Sequence, residues 1–183
     1  MKEWIRARGR VTVRVLDERG SVKELPRNFL RRLLGLPARK MVSRNHNIVT
    51  RQGDALIADA LLTVPIQTKV SSASGFIQVG TGWTGNSTKT NTRCNTPTGA
   101  MEALDAGYPA LKAAWGNIGD TALLFRATFE VGKLAANGIN EVALLNGSTP
   151  AAACLAYAQI TPVANVTAND TLQIEWEITF LGQ

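Results

Sequence analysis

The sequence has few cysteines, one histidine and no long hydrophobic run, and each shortage excludes a class of protein. Cys94 and Cys154 are too few for a disulfide scaffold, so we expect two unpaired thiols. The single histidine, His46, belongs to no cluster of cysteine, histidine and acidic residues, so no metal site is predicted. The longest apolar stretch, residues 56–66, is interrupted by Asp59. It is shorter than the roughly 20 residues of a membrane-spanning helix, and we expect no membrane association.

A secretory signal is also missing, and the composition is that of a folded domain. The first ten residues carry charges of both signs, where a signal peptide needs an apolar core of about 7 to 15 residues. We therefore expect synthesis in a cytoplasm. With 183 residues, 45% of them hydrophobic and 19% charged, the chain can bury a core and is too apolar for general disorder. One domain with an extended arm is predicted.

The formal net charge of +6 is divided unevenly along the chain. Residues 1–51 contain 14 Lys and Arg against four acidic residues, and the rest contains six bases against ten acids. A basic segment joined to a mildly acidic body is typical of an arm that contacts an acidic partner, namely nucleic acid, an acidic protein surface or another copy. The plain alternative is a solvated, arginine-rich surface without a partner.

Two elements are predicted in this basic segment. Alternating residues over 10–16, turn residues over 17–20 and a second extended run over 21–25 predict a hairpin. Residues 26–36 predict a short amphipathic helix with Phe29, Leu30, Leu33 and Leu34 on one face and Arg27, Arg31 and Arg32 on the other.

Together these elements form a predicted basic N-terminal arm over residues 1–44. Its apolar helix face and its arginines are the groups that we expect to contact a partner. The predicted partner-binding residues are Arg6, Arg8, Arg10, Arg27, Phe29, Leu30, Arg31, Arg32, Leu33, Leu34, Arg39, Lys40 and Arg44.

The predicted body, residues 45–183, is mainly β. Period-2 alternation over 123–131 and 172–180 predicts strands with one polar and one apolar face. Residues 139–145 and 154–160 are more uniformly apolar and predict buried strands, separated by the turn signal Asn146-Gly147. An antiparallel β-sandwich with one or two short helices follows.

The remaining part of the body predicts a helix, a loop and weaker helical turns. A helix is expected over ALIADALL, residues 55–62, opened by Gly53-Asp54, with Asp54 as its N-cap. Residues 81–99, rich in Thr, Asn and Gly, predict an exposed loop, and residues 100–115 predict one or two helical turns.

No pattern predicts catalysis or a cofactor. Residues Gly80 to Gly85 match G-x-G-x-x-G, but the polar stretch that follows lacks the helix whose N-terminus would receive a pyrophosphate. Glu175 and Glu177 share one face of a strand with other polar residues, which favours a solvated outer face over an acid–base pair. His46 has no nucleophile motif to serve. We therefore predict no catalytic residue, no cofactor and no enzymatic activity.

Four segments in this order resemble a pattern of tailed-bacteriophage virion proteins. They are NIVTRQGDALIADALL, GFIQVGTGWTG, GINEVALLN and TLQIEWEITF, within residues 45–180. The related proteins include fibre-attachment domains and accessory proteins of the capsid, neck or tail. The resemblance implies a β-rich, non-enzymatic module, present in several copies in the virion, whose partners are other virion proteins and copies of itself.

These observations lead to a hypothesis and to rivals of other classes. The hypothesis is a homo-oligomeric virion protein that docks through its basic N-terminal arm. The alternative is a nucleic-acid-binding protein that uses the same basic segment, although the segment lacks the interleaved aromatic residues that stack on bases. An enzyme would require a concave pocket with convergent polar groups.

Overall fold

The computed structural model describes residues 6–25, 28–112 and 122–181. Arg27 of the predicted helix lies outside these ranges, as do residues 113–115 of the predicted helical turns. In chain order the elements are β1 (Arg6–Leu16), α1 (Phe29–Leu33), β2 (Val42–Val49), α2 (Arg51–Ala60), β3 (Phe76–Gly80), β4 (Glu102–Ala103), β5 (Ala110–Leu111), β6 (Ala122–Phe129), β7 (Ala136–Leu145), β8 (Cys154–Val166) and β9 (Thr171–Leu181). No helix among the described residues is long and apolar enough to span a bilayer.

The nine strands form one antiparallel sheet in the order β4-β3-β7-β8-β2-β1-β9-β6-β5. The sheet curls into a half-barrel and packs its apolar face inside the curl. The mainly β, antiparallel fold with two short helices is therefore confirmed. The predicted sandwich is not confirmed, because all nine strands belong to a single hydrogen-bonded ladder rather than to two stacked sheets.

The strands with period-2 alternation build the interior of the curl. Leu172, Ile174, Trp176 and Ile178 of β9 are all at most 1% exposed, and their neighbours along the strand are half-buried. The apolar row of β6 is likewise buried at every second position from Phe125 to Phe129. Because successive side chains of a strand point to opposite faces, this pattern commits one face of the sheet to the core.

The N-terminal segment enters the sheet instead of extending from it. β1 pairs with β9 along its whole length and with β2 from Gly9 to Arg14. Its apolar row, Val11, Val13 and Val15, is at most 1% exposed. The extended arm over residues 1–44 is thus not confirmed, since half-buried alternating strands gain more by pairing on two sides than by standing free.

The predicted hairpin is only partly present. The turn after β1 is held by Asp17, whose side chain accepts hydrogen bonds from the backbone of Arg19 and Ser21, each at 3.0 Å. The segment after it, residues 21–25, makes only isolated bridges and no strand. The long partners of β1 come from elsewhere in the chain, β2 and β9.

The two edges of the curled sheet meet at Asp105, just after β4. Its backbone N–H donates to the carbonyl of Arg126 in β6 at 2.8 Å. Its carboxylate accepts from Nε of Arg126 at 2.6 Å and from the hydroxyl of Thr128 at 2.9 Å. Asp105 therefore links the β4 edge to β6 and helps to close the open side of the half-barrel. The helical turns predicted over residues 100–112 are absent there, since this stretch holds β4, β5 and their connection.

The helix was predicted to begin at Ala55 with Asp54 as its cap, but α2 begins four residues earlier, at Arg51. Thr50 is the N-cap, and its hydroxyl accepts from the backbone of Gly53 at 3.0 Å. The same hydroxyl donates to the carbonyl of Cys154. Asp54 instead lies in the first turn and forms an ion pair with Lys89. Gly53 packs against β8, where a Cβ would lie 2.0 Å from the carbonyl oxygen of Leu155.

Thr50→Val is expected to destabilise the fold by about 1–2 kcal/mol, because it removes an N-cap hydroxyl that is fully buried. Thr50→Ser keeps the hydroxyl and serves as the matched control. Urea denaturation followed by circular dichroism would measure the free energy of unfolding of both variants. A Thr50→Val variant that is as stable as the wild type, or no less stable than Thr50→Ser, would show that the hydroxyl does not contribute.

Candidate functional site

Between β1 and β2 the chain leaves the sheet as a compact protrusion, residues 28–39, here called the α1 protrusion. Its two ends are tied together by Asn28 and Arg39. The Asn28 side chain donates to the carbonyl of Arg39 and accepts from its backbone N–H, both at 2.8 Å. Asn28 is only 5% exposed, and a β-bridge from Glu24 to Lys40 adds to the base. The protrusion is therefore a closed, hydrogen-bonded unit, and it is the element that corresponds to the predicted basic helix.

The apolar side chains of the α1 protrusion face solvent. Leu30, Leu33 and Leu34 are 65%, 72% and 71% exposed, and Leu36 is 45% exposed. The short amphipathic helix is confirmed over Phe29–Leu33, a shorter span than predicted. The helix is followed by a turn that ends at Gly35, which has a φ of 67°. Exposed apolar residues that cluster in this way mark an interaction surface rather than scattered surface residues.

A groove of about 810 Å³ separates the α1 protrusion from β8. Most of the groove surface is apolar, with Leu25, Leu30 and Met41 on one side and Pro162 and Val163 on the other. We call it the α1 groove, and its complete lining is Leu25, Asn28, Leu30, Arg31, Arg39, Met41, Pro162, Val163 and Asn165. Three of the predicted partner-binding residues, Leu30, Arg31 and Arg39, therefore line one concave surface.

The cations in and next to the α1 protrusion differ in whether they form ion pairs or hydrogen bonds. Arg32 forms an ion pair with Glu24 at 2.7 Å. Arg31 donates from Nε to the carbonyl of Pro37 at 2.9 Å. Arg31, Arg39 and Lys40 make no ion pair with the residues that the structure describes. Two of these residues, Arg31 and Arg39, line the α1 groove together with Leu30.

The other predicted partner-binding arginines lie elsewhere, on the strands of the sheet. Arg10 and Arg14 point to its outer face, where Arg10 pairs with Glu177 at 3.3 Å and Arg14 with Glu175 at 3.9 Å. Arg44 of β2 is exposed. Arg6 and Arg8 are backbone members of β1, opposite Leu181 and Thr179 of β9. The predicted residues whose backbone the structure describes therefore divide between the segment 28–40 and the strands of the sheet.

Part of the charge asymmetry along the chain is neutralised within the molecule. Glu177 also accepts from Lys112 at 2.8 Å. Hydrogen bonds from Lys112, and also from Arg10, hold the pKa of Glu177 below its ordinary value. Glu175 and Glu177 are thus ion-paired members of the outer polar face, in line with the expectation that they are not an acid–base pair.

A second ion pair holds the turn before β9 against the segment after β1. Lys23 donates to Asp170 at 2.6 Å, and the Asp170 side chain is 5% exposed. Burial acts to raise the pKa of Asp170, but the hydrogen bonds from Lys23 and Thr167 outweigh it and leave that pKa lowered. Asp170 therefore stabilises the fold in its ionised form.

Among the residues that the structure describes, the most buried charged group is Glu141, which the sequence analysis does not predict. It is 0% exposed and accepts from the backbone N–H groups of Gly82, Asn95 and Thr96, each at 2.9 Å. The hydroxyl of Tyr157 also donates to it. Burial, with the bond to Glu141 second, raises the pKa of Tyr157. The sequence offers one indication of this role, namely an acidic residue within an otherwise apolar strand. A carboxylate in such a strand is buried only when hydrogen bonds or charges compensate it.

Glu141 explains the glycine motif that resembles a dinucleotide fingerprint. A Cβ at Gly80 would lie 2.5 Å from the carboxylate of Glu141 and 2.5 Å from the carbonyl of Thr96. The glycines therefore allow residues 81–96 to fold back onto this carboxylate, and no helix follows them. The predicted exposed loop is mostly exposed, except that Cys94 is 2% exposed in a small apolar cluster with Tyr157.

The groups with reactive potential are buried or isolated in the described part of the chain. Cys94 and Cys154 are free thiols, and burial raises the pKa of both, that of Cys154 to about 12. His46 lies on β2 opposite Arg10 and is exposed. Within residues 6–25, 28–112 and 122–181, no group of three or more His, Cys, Asp or Glu side chains could hold a metal ion.

The stability of the fold is expected to fall as pH drops below about 4, because Asp170 and Glu177 have lowered pKa values and lose their ion pairs on protonation. Lys23→Met should remove about 1 kcal/mol near neutral pH, and this difference from the wild type should shrink as the pH falls below about 4 and Asp170 takes up a proton. Urea denaturation at several pH values measures the difference. A loss that stays constant down to pH 2 would contradict the role of the ion pair.

Glu141→Gln should destabilise the fold by about 2–4 kcal/mol, because the amide turns one acceptor oxygen into a donor among four donors. Hydrogen exchange at the amides of Gly82, Asn95 and Thr96 should accelerate more than exchange in β9. Glu102→Gln is the control, since Glu102 only forms a surface pair with Lys133 at 3.6 Å. Unchanged exchange at the three amides would refute the role of Glu141 as the anchor of the loop.

The chain was compared with protein-family models, curated proteins and solved structures. No family model matches it, and neither does any curated protein or solved structure.

Proposed function

We propose that this protein is a non-enzymatic structural component of a tailed-bacteriophage particle, present in several copies and docked through its α1 protrusion. The observation that carries the proposal is the exposure of Leu30, Leu33 and Leu34 on one hydrogen-bonded unit. The proposed attachment element is therefore the α1 protrusion, residues 28–39, and not the whole segment 1–44.

The exposed leucines of the protrusion would contribute binding free energy when a partner covers them. Each Å² of apolar surface removed from water stabilises a complex by about 25 cal/mol before the cost of association. Because Asn28 and Arg39 already fix the base of the protrusion, little conformational entropy is lost when a partner covers it. Such a preformed apolar ridge is suited to assembly.

The charges around the ridge define the partner. Arg31, Arg39 and Lys40 have no acidic partner among the described residues, so an acidic rim on the partner would pair with them. Charges at the rim of an interface mainly determine orientation and association rate, while the apolar centre supplies affinity. The expected partner is a protein surface with an apolar centre and acidic surroundings.

The motifs that resemble virion proteins lie in the body and not in the protrusion. They coincide with the β2–α2 junction, β3 and its following loop, β7 and β9. In this proposal the body is the shared module and the α1 protrusion is the part that selects the attachment site. The position of the protein, on the capsid, the neck or the tail, follows from the partner of the protrusion.

The test uses point substitutions, because deletion of residues 1–44 would remove β1 from the centre of the sheet. Leu33→Asp combined with Leu34→Asp places two charges on the exposed ridge, and Val131→Asp, at a site that is 56% exposed elsewhere, is the matched control. The double variant should lower the number of copies per purified particle about tenfold or more, since about 1.4 kcal/mol of lost affinity is tenfold in binding. Quantitative mass spectrometry of the particles measures this.

Normal occupancy of the double variant would contradict the proposal. The nucleic-acid alternative would replace it if occupancy is normal and the purified protein binds DNA with an affinity that falls steeply with salt concentration. In that case the logarithm of the affinity should fall by about 0.9 per phosphate neutralised for each unit of log salt.

A further inference from the structure

A second exposed apolar segment follows α2. Leu61, Val64 and Ile66 are 84%, 77% and 81% exposed, and Leu62 is 50% exposed. We call residues 61–66 the apolar loop. Together with the α1 protrusion it accounts for most of the large hydrophobic side chains that the described chain exposes.

The apolar loop is held in a defined shape. The carboxylate of Asp59, in the last turn of α2, accepts from the backbone of Ile66 at 3.0 Å and of Gln67 at 2.9 Å. Just beyond, the side chain of Asn146 donates to the carbonyl of Thr68 at 2.8 Å. The apolar side chains are therefore presented on a fixed backbone, which reduces the entropy lost on binding.

The apolar loop and the α1 groove lie at opposite ends of the half-barrel. The α1 protrusion precedes Val42, the first residue of β2, and α2 begins just after Val49, the last one. A strand of eight residues spans roughly 25 Å, so the two apolar surfaces of one molecule start from points about that far apart. A contact between the two surfaces can form only between different copies.

The two surfaces suit each other chemically. The groove is concave and lined mainly by apolar side chains, and the loop is a compact apolar projection. The last turn of α2 has no basic residue and contains Asp59, whose negative charge is opposite in sign to that of Arg31 and Arg39 in the groove of another copy. Lys69, close to the loop, offsets part of this charge, so apolar contact is the main contribution.

We propose that the apolar loop of one copy of this chain docks in the α1 groove of the next copy. This deepens and rests on the proposed function, since it names the partner of the α1 protrusion. The contact joins two different surfaces, so it is head-to-tail. Repetition of such a contact produces a closed ring where the rotation between neighbours closes, and an open row where it does not.

Two variants, each blocked at one surface, test the contact. Leu30→Asp blocks the groove and Val64→Asp blocks the loop, both at exposed positions, and Val131→Asp is the control. By light scattering after size exclusion, the wild type and the control should form oligomers, and each blocked variant should be monomeric. An equimolar mixture of the two should form dimers and nothing larger, because only one intact groove and one intact loop can meet.

A cross-link provides a second measurement that does not depend on the charged variants. Leu30→Cys and Val64→Cys, mixed under mild oxidation, should form a disulfide between copies, whereas either variant with Val131→Cys should not. The native Cys94 and Cys154 are buried and do not compete. A monomeric wild type, a blocked variant that still oligomerises, or a mixture that stays monomeric without cross-linking would each overturn the head-to-tail contact.

The outcomes separate this inference from the proposed function. If the wild type is monomeric but Leu33→Asp with Leu34→Asp still lowers particle occupancy, the protrusion binds another virion protein and only the head-to-tail contact is wrong. If the mixture forms dimers but particle occupancy is unaffected, the contact between copies stands and the proposed role of the protrusion in virion attachment is wrong.

Discussion

The pairing of β1 with β9 is the interaction on which the rest of this structure depends. Eleven residues of the first strand face eleven residues of the last, at the centre of the sheet. Without this ladder, the part built from β2, β3, β4, β7 and β8 would be separated from the part built from β5, β6 and β9. Because the paired residues are far apart in sequence, the chain must be nearly complete before the sheet can close.

The same pairing explains why part of the positive charge of the N-terminal segment is neutralised within the molecule. A residue and its partner across a strand pair lie on the same face, so Arg10 faces Glu177 and Arg14 lies next to Glu175. The charge opposition that predicts contact between molecules is thus satisfied in part within one molecule. The cations that remain without an ion pair among the described residues include Arg31 and Arg39, which line the α1 groove together with Leu30.

The two faces of the sheet have different roles. The inner face holds the main core, and part of the outer face, around Tyr157, is covered by residues 81–101, which are anchored on Glu141. The remaining outer face is a network of ion pairs. The apolar surfaces that face solvent therefore lie at the ends of the half-barrel, where molecules can stack without disturbing either face. This arrangement is the physical basis of the proposed assembly.

Alternation in the sequence predicts the long strands, because over β6 and β9 it specifies which side of each strand is apolar, and the spacing of Leu30, Leu33 and Leu34 predicts the amphipathic character of α1, whereas the short β4 and β5 lie where helical turns were predicted. It did not determine the partners of β1 or the single curled sheet, since register and strand order depend on residues far apart in the chain. Nor did it indicate the role of Glu141, whose four donors come from three segments that only the folded chain brings together. Which apolar side chains remain exposed depends on the tertiary structure. Leu33 and Leu56 are both leucines on the apolar side of a short helix, but another element packs only on Leu56, and Leu33 remains exposed.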